Sequence, residues 1–381
     1  MTALLPHIDP DGLLEFSVVY TDRALNHMSQ RFQGVMRDLS RQVRQVYNAQ
    51  ALVIVPGSGT SGMEAVARQF ANGEHVLVVR NGWFSYRWTQ ILETGGIARS
   101  HSVSKARRTA EGAQAPWAPA PLDDVCAAIA AEKPAVVFAP HVETSSGMML
   151  PPDYIRGLAD AVHAVGGLLV LDCIASGAEW IDMQDSGVDV LVSAPQKGWS
   201  STPCAGMVLL GERALAKIDS TCSSSFALDL KQWLAIMRAY ENDGHAYHAT
   251  LPTDGLRQLR DTLDETLARG LTAVRDAQRD LGRQVRALLA QHGYPSVAAP
   301  GFEAAGVVVS YTSDPEIQTG RAFVRLGVQA AAGVPLQCDE GPDYRAFRLG
   351  LFGLDKWGDV PRSVGHVRTA LEALASAPHS G

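Results

Sequence analysis

Gly167-Leu168-Leu169-Val170-Leu171-Asp172 is an apolar run of strand length that ends on a carboxylate. Its shortness and its bounding glycines favour a strand buried on both faces over a buried helix. Upstream, Asp153–Val165 has helical spacing. Ile155, Leu158, Ala159, Val162 and Val165 share one face, Asp153 is the expected N-cap, and Gly166-Gly167 is the stop. Downstream, Val188-Asp189-Val190-Leu191-Val192-Ser193 is a second strand-like run. Further runs at Ala51–Pro56, His75–Arg80, Ile97–Val103, Pro134–His141 and Ala205–Leu210 alternate with amphipathic stretches. This alternation predicts an α/β fold with a mainly parallel central sheet covered on both faces.

Beyond about residue 211 the texture changes. Residues 255–291 read as one long helix carried by Leu256, Leu259, Leu263, Leu267, Leu271 and Val274. A strand is expected at Gly306–Tyr311, a helix over 315–327, a strand at Ala346–Leu351 and a closing helix from Pro361 to Ala375. The pattern predicts a large domain over 24–254 and a smaller α+β domain over 255–381. Lys105–Pro121 reads as a long Ala/Pro/Gly loop, and its cluster Lys105-Ala106-Arg107-Arg108 as solvated.

With 46% hydrophobic residues the chain can build a large core, and its net charge of −7 argues against nucleic-acid or membrane-surface partners. Five cysteines, odd in number and without a CxxC pair, indicate neither a disulfide framework nor a structural zinc site. Met1–His7 lacks a basic segment leading into an apolar run, and no apolar stretch reaches about 18 residues. A cytoplasmic enzyme is expected.

Gly57-Ser58-Gly59-Thr60-Ser61-Gly62 follows a strand and opens a helix, so it fits a phosphate-binding turn. A ligand-free tight turn is the plainer alternative. A dinucleotide site wants a carboxylate at the end of the next strand, and His75–Asn81 has none. Arg80 there would suit the extra phosphate of NADP, which keeps an NADP-dependent oxidoreductase open. The hydroxyls of Ser58, Thr60 and Ser61 suit a terminal phosphomonoester instead.

Asp172, at a strand's C-terminal end, stands where parallel-sheet enzymes hold ligands, though taken alone an N-cap for the following helix is the plainer reading. Opposite a pyridine nitrogen it would keep that nitrogen protonated. Lys197, in Ser193-Ala194-Pro195-Gln196-Lys197-Gly198-Trp199, sits between an apolar strand and an aromatic. Partial desolvation there lowers a lysine's pKa and favours imine formation with an aldehyde; an exposed loop lysine is the alternative. A nicotinamide enzyme has no use for such a lysine.

Gly57–Gly62, Asp172 and Ser193–Gly198, in this order, resemble the class V aminotransferases of pyridoxal-phosphate (PLP) fold type I, in particular the alanine–glyoxylate / serine–pyruvate branch. The resemblance runs from about residue 35 to the C-terminus. It implies PLP as cofactor, Lys197 as its lysine and Asp172 as partner of the pyridine nitrogen. It implies Ser58, Gly59, Thr60 and Gln196 at the phosphate, Phe84 of Asn81-Gly82-Trp83-Phe84 on the ring, and Thr144 of Glu143-Thr144-Ser145-Ser146-Gly147 near the 3-hydroxyl. Tyr247 and Thr250 match a Tyr-x-x-Thr that reaches the phosphate of the neighbouring subunit, which implies a homodimer with composite sites. Arg348 of Phe347-Arg348-Leu349-Gly350 matches the arginine that grips the substrate carboxylate. The expected reaction moves an amino group from a small α-amino acid, such as alanine or serine, to glyoxylate or pyruvate.

The family's Gly-Pro-Gly-Pro-like N-terminal loop is replaced by His7-Ile8-Asp9-Pro10-Asp11-Gly12 and Leu13–Arg23, so residues 1–23 form a divergent arm expected to line the active site. Asn26-His27-Met28-Ser29 is similar to the Ser-His-Arg-Ser of phosphoserine aminotransferases, but Met28 replaces the phosphate-binding arginine. Cys338, ten residues before Arg348, lies on a loop where cysteine desulfurases carry their nucleophile. A desulfurase-like enzyme or another PLP-dependent lyase is thus the alternative, although the desulfurase spacing is longer and a histidine usually precedes its lysine.

Overall fold

The computed structural model describes residues 7–376, so residues 1–6 of the expected arm and 377–381 of the closing segment lie outside the described residues. Seven strands form the central sheet: β1 (Ala51–Pro56), β2 (His75–Arg80), β3 (Ser100–Lys105), β4 (Val136–Pro140), β5 (Leu168–Asp172), β6 (Val190–Ser193) and β7 (Ala205–Leu210). Their spatial order is β1-β7-β6-β5-β4-β2-β3. β7 runs antiparallel to both β1 and β6, and the remaining pairs are parallel. β4, β5, β6 and β7 are buried along their whole length, which explains why they read as continuous apolar runs.

The register places the chemistry. Asp172 pairs with Pro140 on one side and Val192 on the other. The chain leaving β4 leads directly into Glu143–Gly147, and the chain leaving β6 leads into Gln196-Lys197. Three loops therefore meet at the C-terminal edge of β4, β5 and β6.

Several local expectations shift. The helix after β4 spans Pro152–Ala164, with Pro151 as N-cap and Asp153 inside its first turn, because proline suits a helix start. The strand expected at Ile97–Val103 lies at Ser100–Lys105. The single long helix over 255–291 is two, Thr253–Arg269 and Leu271–Gln291, joined at Gly270 with φ +86. That backbone is costly for any residue with a Cβ. The first of the two buries Leu256, Leu259 and Leu263 in the same core as the large sheet, so the expected boundary at 254–255 falls inside continuous packing. The second helps to form a separate core with Phe347, Leu349 and the closing helix Val360–Ser376. Likewise, the helix over 315–327 is two short pieces, Pro315–Gln318 and Arg321–Arg325, flanking Gly320.

β8 (Val307–Tyr311), β9 (Ala331–Ala332) and β10 (Ala346–Gly350) make a small antiparallel sheet in the order β8-β10-β9. The stretch Lys105–Pro121 holds a two-stranded ribbon, Arg107–Arg108 against Trp117–Ala118, with Trp117 buried. Its basic cluster stays at the surface: Arg107 and Arg108 are exposed, and the pairs of Lys105 with Asp339 at 2.8 Å and of Arg107 with Asp124 at 2.7 Å are solvent-facing. Gln30–Tyr47 is an 18-residue helix whose start explains Ser29: its hydroxyl accepts from Phe32 N. No helix among the described residues is long and apolar enough to cross a membrane.

Candidate active site

A cavity at the C-terminal edge of the sheet is lined by Ser58, Gly59, Thr60, Phe84, Thr144, Asp172, Gln196 and Lys197, together with Arg87 and apolar residues. Eight positions expected from the sequence thus converge on one space.

The phosphate-loop residues cap the helix Gly59–Phe70. Ser61 Oγ accepts from Ser58 N at 3.2 Å, which ties the turn to the first residues of that helix. A Cβ on Gly59 would stand 2.6 Å from Ile174 Cδ1, so glycine lets this turn lie close to Ile174 without displacing that side chain. Thr60 Oγ1 accepts from Arg87 Nη1 at 3.1 Å.

Asp172 is buried, and its Oδ1 accepts from Ile174 N at 2.9 Å. Burial pushes its carboxyl up to about 6, against the pull of that hydrogen bond and of Lys197. Desolvation drives the Lys197 ammonium below its ordinary value, partly offset by Asp172 and Glu143 and reinforced by Arg348 and Arg87. The Lys197 Nζ stands 5.8 Å from the centre of the Phe84 ring and equally far from that of Phe352.

Phe84 is the hub of the site. Besides Lys197, the guanidinium carbons of Arg87 and Arg348 lie 5.2 and 5.4 Å from its ring centre. Its position is set by Glu143, which is fully buried and accepts from Phe84 N at 3.1 Å and from Ser85 N at 2.8 Å. The hydroxyls of Ser85 and Ser145, each at 2.7 Å, and the Ser145 N–H at 3.1 Å also donate to it. A carboxylate held on the first N–H groups of the helix Trp83–Gly95 is stabilised by them and by the helix dipole.

Arg348, on β10, donates through Nε to Ala332 O at 2.7 Å, and no ion pair among the described residues involves it. Burial lowers its pKa, while Glu143 and Tyr344 favour its charge. Tyr247 and Thr250 are not brought to the cavity of their own chain. Tyr247 is exposed, and its hydroxyl lies 3.2 Å from that of Thr250.

Two expectations lose their support. Arg80 is buried, donates to Thr89 Oγ1 at 2.8 Å and to Gln337 O at 3.2 Å, and lies under Tyr86. It is spent in packing and offers nothing to an NADP phosphate. Cys338 is buried against the Arg80 carbonyl, and burial pushes its thiol up to about 12, so it is no exposed nucleophile. The sequence reading missed Arg87 and gave Glu143 no role of its own. Arg87 stands three residues after Phe84, a spacing that puts both on one helix face.

The cavity fits PLP on its own chemistry. Thr144 Oγ1 is buried with no partner among the described residues, which a ring hydroxyl would satisfy. An electropositive rim of Arg87, Lys197 and Arg348 suits an anionic ligand, and the strand-end Asp172 suits a cationic ring nitrogen. Sheet, small domain and cavity together define a PLP enzyme of fold type I. The chain belongs to the class-V aminotransferases: the model of that family matches residues 14–310. It is 27% identical to the alanine–glyoxylate aminotransferase of Oryctolagus cuniculus, over 93% of this chain and 88% of that protein. It is 30% identical to the 2-aminoethylphosphonate–pyruvate transaminase of Burkholderia ambifaria, over 85% of this chain and 83% of that one. The crystal structure of an alanine–glyoxylate aminotransferase from Nostoc sp. superposes with a TM-score of 0.76 at 21% identity, covering 92% and 88% of the two chains.

Proposed function

We propose that this PLP-dependent aminotransferase moves the amino group of a small α-amino acid, such as alanine or serine, to glyoxylate or pyruvate. The observation that carries the reading is Arg348, a guanidinium at the cavity with no carboxylate among the described residues to pair with. Donor and acceptor share one α-carboxylate, which a planar fork binds bidentately.

Bound here, PLP supplies an aldehyde carbon for amine exchange and a cationic ring that withdraws electrons from the substrate's α-carbon. Lys197 would hold the aldehyde end of the cofactor and, as a general base and acid at Nζ, would take up and deliver the substrate's α-proton, a role that its desolvation-lowered pKa favours. Asp172 would keep the proton on the ring nitrogen, Phe84 would stack on the ring, Thr144 would meet the 3-hydroxyl, and Ser58, Gly59, Thr60 and Gln196 would hold the phosphate.

A panel of alanine, serine and 2-aminoethylphosphonate against glyoxylate, pyruvate and 2-oxoglutarate tests the reading. Turnover of alanine or serine with glyoxylate or pyruvate supports it. Preference for the aminophosphonate would favour a second reading, which the 30% identity to such a transaminase supports; Arg348 would then hold a phosphonate. Elimination products without amino transfer would favour a lyase.

Arg348→Ala should lower the specificity constant by about a hundredfold for every α-amino acid and every 2-oxo acid alike, since a charge-assisted pair contributes roughly 2–3 kcal/mol. Arg348→Lys should rescue poorly, because an ammonium lacks the fork. Steady-state kinetics on two donors and two acceptors check both; unchanged constants would remove Arg348 from the substrate site.

Tyr247 and Thr250 would complete the phosphate site of a second copy. Their exposed hydroxyls support this, as do the exposed Leu13, Phe16 and Val18 of the arm. The active form should sediment as a homodimer. Mixing Lys197→Ala chains with Tyr247→Phe/Thr250→Val chains, each nearly inactive alone, should restore about a quarter of wild-type activity, because half of randomly formed dimers hold one intact site of two. No restoration on verified subunit exchange would assign both residues to packing.

A further inference from the structure

From the geometry of the cavity we infer that Arg87 is the cation of the cofactor-phosphate site. The inference deepens the reading of this cavity as a PLP site and rests on it.

A phosphomonoester carries a charge of about −1.5 to −2 at pH 7. The groups read as its ligands, Ser58, Gly59, Thr60, Gln196, Tyr247 and Thr250, are all neutral. The helix Gly59–Phe70 adds the equivalent of roughly half a positive charge at its N-terminus. Withdrawing such an anion from water into a narrow cavity calls for a full countercharge. Three cations stand at the cavity. Lys197 is committed to the aldehyde end of the cofactor and Arg348, in the proposed function, to the substrate carboxylate, while the cavity-lining Thr60 and Ser58 stand beside Arg87 instead. Arg87 remains. It lines the cavity beside Ser58 and Gly59, and no ion pair among the described residues involves it.

Its one side-chain hydrogen bond among the described residues fits the role. Arg87 Nη1 donates to Thr60 Oγ1 at 3.1 Å, so that oxygen acts as acceptor and its own hydrogen is free to turn towards a phosphate oxygen. A guanidinium has five donors, and the remainder are available to the same anion. The helix makes the placement economical: Phe84 and Arg87, at i and i+3, share one face, with the Arg87 guanidinium carbon over the Phe84 ring, 5.2 Å from its centre. Glu143, by holding the first turn of that helix, fixes both at once.

The test uses the apoenzyme and two probes that differ only in the phosphate: PLP and pyridoxal. Affinities are read by equilibrium dialysis or by quenching of tryptophan fluorescence. Arg87→Met should weaken PLP by at least about thirtyfold, as loss of a charge-assisted contact implies, and change pyridoxal by no more than about twofold. Arg87→Lys should recover part of the PLP affinity. Phosphorus NMR of the bound cofactor supplies a second readout. In the wild type the phosphate should remain dianionic from about pH 5.5 to about 9, and in Arg87→Met it should titrate at about pH 6. Should Arg87→Met not fold, Arg87→Gln serves in its place, with circular dichroism as the check. Equal weakening of both probes would make Arg87 a scaffold residue, and no weakening of either would make it a bystander. Unchanged PLP affinity with a raised KM for amino acids would move it to the substrate site; each result overturns the inference. A wild-type protein that binds neither probe would instead remove the cofactor reading itself.

Discussion

Lys197→Ala should lower turnover by at least about a thousandfold, within the range that a positioned general acid–base supplies. The expectation rests on where Nζ lies: between the rings of Phe84 and Phe352, 5.8 Å from each centre, in a cavity shared with Asp172. Desolvation holds its pKa down, so more of it is the free amine at neutral pH than for a solvated lysine. In wild-type protein, borohydride should discharge a near-visible absorption band and fix the cofactor's mass on the peptide containing Lys197. The variant should lose that label and regain some turnover with an added small primary amine, which replaces the missing base. A label on another lysine, or turnover within tenfold of wild type, would remove Lys197 from the chemistry.

Asp172→Asn should bind PLP and yet lose turnover by about a hundred- to several-thousandfold, because a neutral amide cannot hold the ring nitrogen protonated. The estimate follows from the roughly 3–5 kcal/mol lost when one member of a buried ion pair is removed. The same substitution should stabilise the apoenzyme, with a definite sign in pH. The Asp172 carboxyl ordinarily titrates at 3.8, and burial raises it to about 6 in the folded chain. The folded state therefore holds this proton more tightly than the unfolded state, and its contribution to stability falls as pH rises from about 4 to about 6. Above that window the ionised carboxylate is a fixed cost of at most about 3 kcal/mol, which the Asp172→Asn variant would not bear. Urea midpoints of the two apoproteins should coincide near pH 4 and separate in favour of the variant at about pH 8. Midpoints that coincide at both values, with turnover retained, would make Asp172 a helix cap and nothing more.

The packing around Phe84 shows where legibility in the sequence ended. A strand that ends on Asp172, a phosphate turn at Gly57–Gly62 and a lysine just past the next strand are local patterns, each readable within a dozen residues. Arg87 was equally local, at helical spacing from Phe84, but arginines on helix surfaces are common, and nothing in the chain marks this one as facing inward. Glu143 lay in plain view in its motif. Its hold on the first turn of Trp83–Gly95 joins segments 58 and 59 positions apart, which no periodicity reports. Arg80 misled for the opposite reason: its place at a strand end fits a cofactor phosphate, and only its burial under Tyr86 and its bond to Gln337 O withdraw it.

By itself the sequence determined the α/β class, six of the seven sheet strands to within about two residues, and most of the groups that line the cavity. Apolar runs, glycine turns and strand-end polar residues are dictated by neighbours along the chain, so they are written there. Tertiary structure alone decided the strand order, with antiparallel β7 between β1 and β6. It also decided the break at Gly270, the burial of Cys338 and the convergence of Arg87, Lys197 and Arg348 on one aromatic ring. These depend on which distant surfaces meet, and a charge gains its chemical meaning from the desolvation and the neighbours that such meetings impose.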